Sequence, residues 1–218
     1  SFAYLFRIKV KDKYFLVQNT RRNIFQPVGG AYKFNSKENE YLRENISFEY
    51  DKNIPVDEVT EFDYRLRIKN KDLRKFFERF DKTENRENFN DLSREFIEEI
   101  FKQSILKKSD FGILSYSFCG RHITKIEKSV FEKHEILLAD IIEVKLSDKQ
   151  ILMFNDLMEK KSGKYLFATA EEIERQGVKV GSQDLEECIT NHTYKILTQN
   201  NDKLTMRNKV NKIYQVKM

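Results

Sequence analysis

Residues 91–101, Asp-Leu-Ser-Arg-Glu-Phe-Ile-Glu-Glu-Ile-Phe, can bury only one of their two sides. At about 100° per residue, Leu92, Phe96, Ile97, Ile100 and Phe101 fall on one face of a helix, and Glu95, Glu98 and Glu99 share the other. The spacing predicts an amphipathic helix from 91 to about 107, with Asp91 accepting an unpaired amide of its first turn. Like charges three or four residues apart cost a few tenths of a kcal/mol each. Arg94 or Lys102 would offset that cost, and a divalent cation would offset it further. Taken alone, the acidic face is an ordinary solvated helix surface.

The apolar face needs a sheet or helix to pack on, and the surrounding pattern supplies both. "FAYLFRIKV" and "YFLVQN" read as a β-hairpin, followed by "NIFQPVGGAY", where Gly29 and Gly30 permit a sharp bend or a close backbone approach. "ISFEY" and "YRLRIK" are short strand candidates, and residues 71–80 read as a helix capped by Asn70 or Asp72. One or two strands are expected in "FGILSYSFCGRHITKI" and a long buried one over 134–146. Ser147 or Asp148 caps the next helix, "KYLFA" forms a strand, and Thr169 caps a short helix that Gly177 stops. "SQDLEECITNHTYKIL" is expected to be a final helix, and residues 201–218 a weakly ordered basic tail. The simplest organisation is one α/β domain over residues 1–200.

Charge narrows the partners. Forty basic against 35 acidic side chains leave +5, which suits an anionic ligand, while no Lys/Arg block of the kind that grips duplex nucleic acid is present. No apolar run approaches the roughly 20 residues that span a bilayer. No signal-peptide pattern is visible. The opening at Ser1, straight into a strand pattern, reads as part of a longer protein, with a membrane segment upstream among the expectations. Cys119 and Cys188 lack metal-type spacing, which favours a reduced, cytoplasmic setting.

The order of strand, Pro27-Val28-Gly29-Gly30, then a helix carrying Arg94-Glu95-Phe96-Ile97-Glu98-Glu99 resembles the box of the Nudix superfamily. About sixty residues separate its halves, Phe101 stands where the box carries a glycine, and Arg86 occupies the place of an early box glutamate, with Glu87 one position away. The segments "DYRLRIKNKDLRKFFERF", "NRENFNDLSREFIEEIF", "CGRHITKIEKSVFEKHEILLADIIEV" and "FATAEEIERQGV" are similar to the SMODS-associated Nudix domain, over nearly the whole chain. That resemblance implies a Nudix-type α/β/α sandwich with a mixed sheet and a large insertion, about residues 31–88, inside the box. It also implies a place in bacterial CBASS antiphage effectors, where the domain senses a cyclic oligonucleotide and promotes activation or assembly. There a membrane segment anchoring the full-length protein in the inner membrane can precede it.

For an active Nudix enzyme the resemblance makes Glu95, Glu98, Glu99 and a Gly29 or Gly30 carbonyl ligands of Mg²⁺, with Glu98 or Glu99 assisting a general base. The alternative function is therefore a Mg²⁺-dependent hydrolase of nucleoside diphosphate derivatives. A third is a scaffold in which the insertion forms a homo-oligomer contact. A cyclic di- or trinucleotide needs cations for its phosphates and aromatic faces for its bases. Arg121 and His122 beside Gly120, Arg67, Tyr116 and Phe25 are the candidates. Against them stands the simpler possibility that Arg65 and Arg67 line the wet side of a strand.

Overall fold

The computed structural model describes residues 1–19, 22–51, 60–126, 134–178, 189–206 and 212–218. The chain is mixed α/β, with a curled mixed sheet and several helices, an arrangement of Nudix type. In order it forms β1 Phe2–Arg7, β2 Lys9–Val10, β3 Lys13–Asn19, β4 Ile24–Gln26, β5 Gly29–Ala31, α1 Ser36–Asn45, β6 Phe48–Tyr50, β7 Leu66–Ile68 and α2 Leu73–Lys82. There follow α3 Ser93–Phe96, α4 Lys108–Phe111, β8 Ile113–Ile123, β9 Leu138–Val144, α5 Asp148–Met158, β10 Tyr165–Thr169, α6 Ala170–Glu174 and β11 Ile213–Lys217.

These elements form two compact units. One gathers residues 1–3, 31–89 and 123–138; the other gathers 4–30, 90–122 and 139–218.

The first unit is built on aromatic rings. Phe2 lies 4.8 Å from Phe77 and 4.7 Å from Phe80, both edge-on, and Tyr64 meets Phe80 at 5.0 Å. Edge-to-face packing of this kind adds to plain area burial. Glu38 of α1 is wholly enclosed, so its charge needs partners. Arg79 Nη2 supplies one at 2.6 Å and Thr83 Oγ1 another at 2.6 Å, tying α1 to α2. Arg86, at the place of an early box glutamate, lays its guanidinium 3.8 Å from the Phe80 ring and donates to the Phe80 carbonyl at 2.8 Å. It is a packing residue. The neighbouring Glu87 accepts from the Lys33 amide at 2.9 Å. The two short strands expected on either side of residue 60 exist and pair antiparallel, with Glu49 opposite Arg67. Neither Asn70 nor Asp72 caps α2 through its side chain; Asp72 instead accepts from the Ser47 amide at 3.3 Å.

The second unit holds most of the five-stranded sheet, ordered β11-β8-β9-β1-β5, and a smaller sheet ordered β10-β3-β2 with β4 on β3. The expected hairpin is only partly formed. β2 pairs with β3, Lys9 opposite Tyr14, whereas β1 departs into the larger sheet. Strand β8 is a single run of eleven residues. The buried strand expected over 134–146 is β9. Two of the helix starts read from the sequence are capping boxes: Ser147 with Gln150, and Thr169 with Glu172.

Three expectations fail. The helix that begins at Ser93 closes after Phe101 rather than near 107, because its second half widens into a π-helical turn over Ile97–Phe101. The final helix is absent from its described part: residues 191–196 and 198–203 are 3-10 turns, and 179–188 lie outside the described residues. Instead of remaining a loose tail throughout, the end of the chain contributes β11, which lines Ile213 to Lys217 against Ser117 to Ile113 of β8. Among the described residues, no helix is long and apolar enough to cross a membrane.

Candidate functional site

The two halves of the split box meet. The Val28 carbonyl accepts from the Phe6 amide at 2.8 Å, which fixes the chain entering β5. Gly29 has φ +143°, and a Cβ there would stand 2.2 Å from the Tyr4 carbonyl oxygen, so only glycine fits. At Gly30 a Cβ would stand 2.0 Å from Glu95 Oε1. The second glycine is thus the space that the first box carboxylate occupies.

The helix is held from its apolar side. Phe96 packs edge-on against Phe6 at 5.6 Å and tilts against Phe111 at 5.1 Å. Its start is anchored through two consecutive amides: Tyr116 Oη accepts from the Leu92 amide at 3.0 Å, and Asp91 Oδ1 accepts from the Ser93 amide at 3.0 Å. With the start and the apolar stripe fixed, the acidic residues have little choice of direction. The Lys102 amide reaches the Ile97 carbonyl at 2.9 Å, closing the wide turn that carries Glu98 and Glu99. Such turns recur at functional sites.

The three glutamates take different partners. Glu99 turns toward the glycines: Oε2 accepts from the Gly29 amide at 2.8 Å and Oε1 from Gln26 Nε2 at 3.3 Å. Glu95 lies against Gly30 and accepts from Arg94 Nη1 at 2.7 Å. Glu98 is 37% exposed, 3.5 Å from Arg94 Nη1 and 3.9 Å from Lys102 Nζ. Arg94 braces Glu95 and Glu98, as its place in the sequence suggested.

Burial, and next the charge of Glu95, push the Glu99 carboxyl well above the usual carboxylate range; the Gly29 and Gln26 hydrogen bonds pull the other way. A raised folded-state pKa means that the native chain holds a proton that the unfolded chain has lost. Stability therefore falls as pH rises from about 4.5 through the raised value, and the cost is complete above it. Glu99→Gln removes that cost. It is expected to raise stability at neutral pH and to flatten this part of the profile. Urea unfolding of both proteins from pH 4.5 to 8 measures the difference; parallel curves would show that Glu99 ionises freely.

Mg²⁺ was the expected occupant of these carboxylates. Among the described residues, no group of three or more His, Cys, Asp or Glu side chains stands together to hold a metal ion. The cause is local. Glu99 has both oxygens engaged by protein donors, and Glu95 and Glu98 share Arg94 Nη1. Gly29 donates its amide to Glu99. As arranged, the set does not fit an octahedral cage of oxygens.

The candidate ligand residues lie in several places. Phe25 is buried in an apolar cluster with Leu5, Leu16 and Ile189. Tyr116 is fully enclosed; its ring stacks on Tyr214 at 5.8 Å, and burial pushes its hydroxyl up to about 12. Neither ring shows a free face for a base, and Tyr116 acts instead on the start of the box helix. Arg121, 3% exposed, is committed to Asp140 by bonds of 2.7 and 3.0 Å. Arg67 belongs to the first unit, 3.6 Å from Asp51. His122 is half-buried, edge-on to Tyr194 at 5.7 Å, with Nδ1 enclosed and without a hydrogen-bond partner. Arg121 and His122 are consecutive on β8, so their side chains leave on opposite faces, and Arg67 belongs to the other unit.

Sequence reasoning missed Gln26 and the 3-10 turn that sets Tyr194 edge-on to His122. Gln26, one residue before Pro27, had a signal: an uncharged donor next to the glycine bend. The turn had none, since its apolar spacing also suits the helix expected there.

The model of a family described as the SMODS-associated NUDIX domain matches residues 1–197. No curated protein and no solved structure matches the chain.

Proposed function

The chain belongs to the family of SMODS-associated NUDIX domains, and from that premise we propose that it senses a cyclic oligonucleotide rather than hydrolysing a diphosphate. Nudix domains generally use divalent metal ions, so the state of the box carboxylates carries the choice. Here they are engaged from within: Gly29 and Gln26 hold Glu99, and Arg94 holds Glu95. Hydrolysis would require those oxygens to release their donors and gather around a metal with sub-ångström precision. Binding requires only a surface that takes phosphates and bases, and a chain of net charge +5 favours an anion. Occupancy would then be passed to an antiphage effector by activation or assembly, with a homo-oligomer as the natural form of assembly.

Calorimetry of the chain against cyclic di- and trinucleotides is expected to find at least one with micromolar or tighter affinity. Absence of binding across the panel at micromolar concentrations would contradict the proposal. One observation favours the hydrolase reading: the crowding of Glu99 by Glu95 is a cost that a bound cation would relieve. Turnover of ADP-ribose, dinucleoside polyphosphates or nucleoside triphosphates with Mg²⁺ or Mn²⁺, abolished by Glu98→Gln, would establish it.

A further inference from the structure

The larger sheet ends at β11, which among the described residues has β8 on one side and no strand on the other. Antiparallel neighbours alternate between pairs that exchange both backbone hydrogen bonds and pairs that exchange none. The phase of that alternation is fixed here. The Met218 amide donates to the Gly112 carbonyl at 2.9 Å, and the register continues with Val216 against Leu114 and Tyr214 against Tyr116. Tyr214, Val216 and Met218 therefore turn their backbone groups to β8. Ile213, Gln215 and Lys217 aim theirs the other way, as a row of donors and acceptors open to another strand.

The side chains of these three residues share a face. Ile213, Gln215 and Lys217 are exposed, whereas Tyr214 and Val216 are half-buried. Lys217 stands beside Ile113, which is 50% exposed, and Ile213, 55% exposed, stands beside Ser117. The open row thus has an isoleucine at one end and a lysine at the other, which makes it complementary to itself. A two-fold axis through Gln215 lays a second β11 antiparallel to the first, with Ile213 opposite the copy's Lys217 and the two Gln215 opposite each other. Every such pair joins outward-facing backbone to outward-facing backbone, so each exchanges both of its hydrogen bonds. The methylenes of Lys217 then lie between Ile113 of their own chain and Ile213 of the copy, with the ammonium still in water. Other registers do worse. An axis through Lys217 sets two ammonium groups side by side, and an axis through Ile213 leaves Lys217 with no partner in β11.

We propose that the outer edge of β11 is a self-association surface, pairing with β11 of a second copy about a two-fold axis at Gln215, so that the two larger sheets run on as one. A two-fold contact uses up the same edge on both copies, so association stops at the dimer. Two short strand edges bury less than the roughly 1,200 Å² of a standard interface, which makes the dimer a weak one with micromolar affinity. The pairing needs no nucleotide. It stands or falls apart from the sensor reading.

Sedimentation velocity of the intact chain without nucleotide, from about 1 μM to about 500 μM, is expected to show monomer giving way to dimer. Ile213→Lys sets a second ammonium opposite Lys217 and should raise the dissociation constant about tenfold or more. Adding Lys217→Glu to that variant pairs opposite charges in the same register and should bring the constant back to within about threefold of the parent. Gln215→Pro removes an outward N–H and none that β8 uses, so it should prevent the dimer while the melting temperature holds. The charge exchange decides the matter even if the proline disturbs the strand. A chain that stays monomeric throughout overturns the proposal. So does a dimer that Ile213→Lys leaves within about twofold of the parent, since another surface then carries it. If Ile213→Lys weakens the dimer and Lys217→Glu fails to restore it, the two-fold register at Gln215 is refuted.

Discussion

Arg121→Ala is expected to destabilise the protein by about 3–5 kcal/mol. The substitution leaves Asp140 at 0% exposure with its carboxylate stripped of both guanidinium bonds. A buried charge without a partner costs far more than the pair contributes when intact. The same reasoning fixes the control: replacing both residues together, as Arg121→Met with Asp140→Leu, should recover much of the loss, because no charge is then stranded. Urea unfolding of the three proteins reads both quantities. A loss below about 1 kcal/mol for Arg121→Ala would mean that Asp140 is satisfied by water or another donor.

Gly29→Ala is expected to cost about 3 kcal/mol or more. The added methyl would lie 2.2 Å from the Tyr4 carbonyl oxygen and 3.0 Å from Leu5 Cα, all backbone of β1, at a φ of +143° that side chains rarely adopt. Backbone in a sheet cannot step aside, so β1 and β5 must separate at the point where Gly29 donates to Glu99. Gly30→Ala meets a different obstacle, the Glu95 carboxylate, which is the far end of a flexible side chain. It should cost less while displacing Glu95 from its place. Guanidinium unfolding distinguishes the two: equal losses would show that the glycine pair is merely a bend, without separate tasks.

The juxtaposition of glycines and glutamates was legible because both halves are local. A Pro-Val-Gly-Gly bend and an Arg-Glu-x-x-Glu-Glu helix each declare themselves over six residues or fewer, and the apolar stripe of Leu92, Phe96 and Ile100 dictates which way the acids face. Ser147 and Thr169 were legible for the same reason, each with its partner three residues on. What escaped depends on distant partners. Alternation along β8 separates two faces but cannot say that Tyr116 and Arg121 meet enclosed groups, Leu92 and Asp140, on theirs. The 3-10 turns after Thr190 carry an apolar spacing that also suits a helix; Arg7, 189 residues away from Ile196, takes the carbonyls that a helix would have used internally. The π-helical turn at Ile97–Phe101 shortens the box helix with no glycine or proline to announce it.

Phosphorus resonance of cyclic triadenylate mixed with the intact chain and Mg²⁺ tests most directly whether protein donors have replaced metal at the box. The phosphodiester signals should shift or broaden on binding and remain phosphodiesters over hours. Growth of a phosphomonoester signal, dependent on Mg²⁺ and on Glu98, would show that the carboxylates leave Arg94, Gln26 and Gly29 to do chemistry, and would contradict the assignment as a sensor.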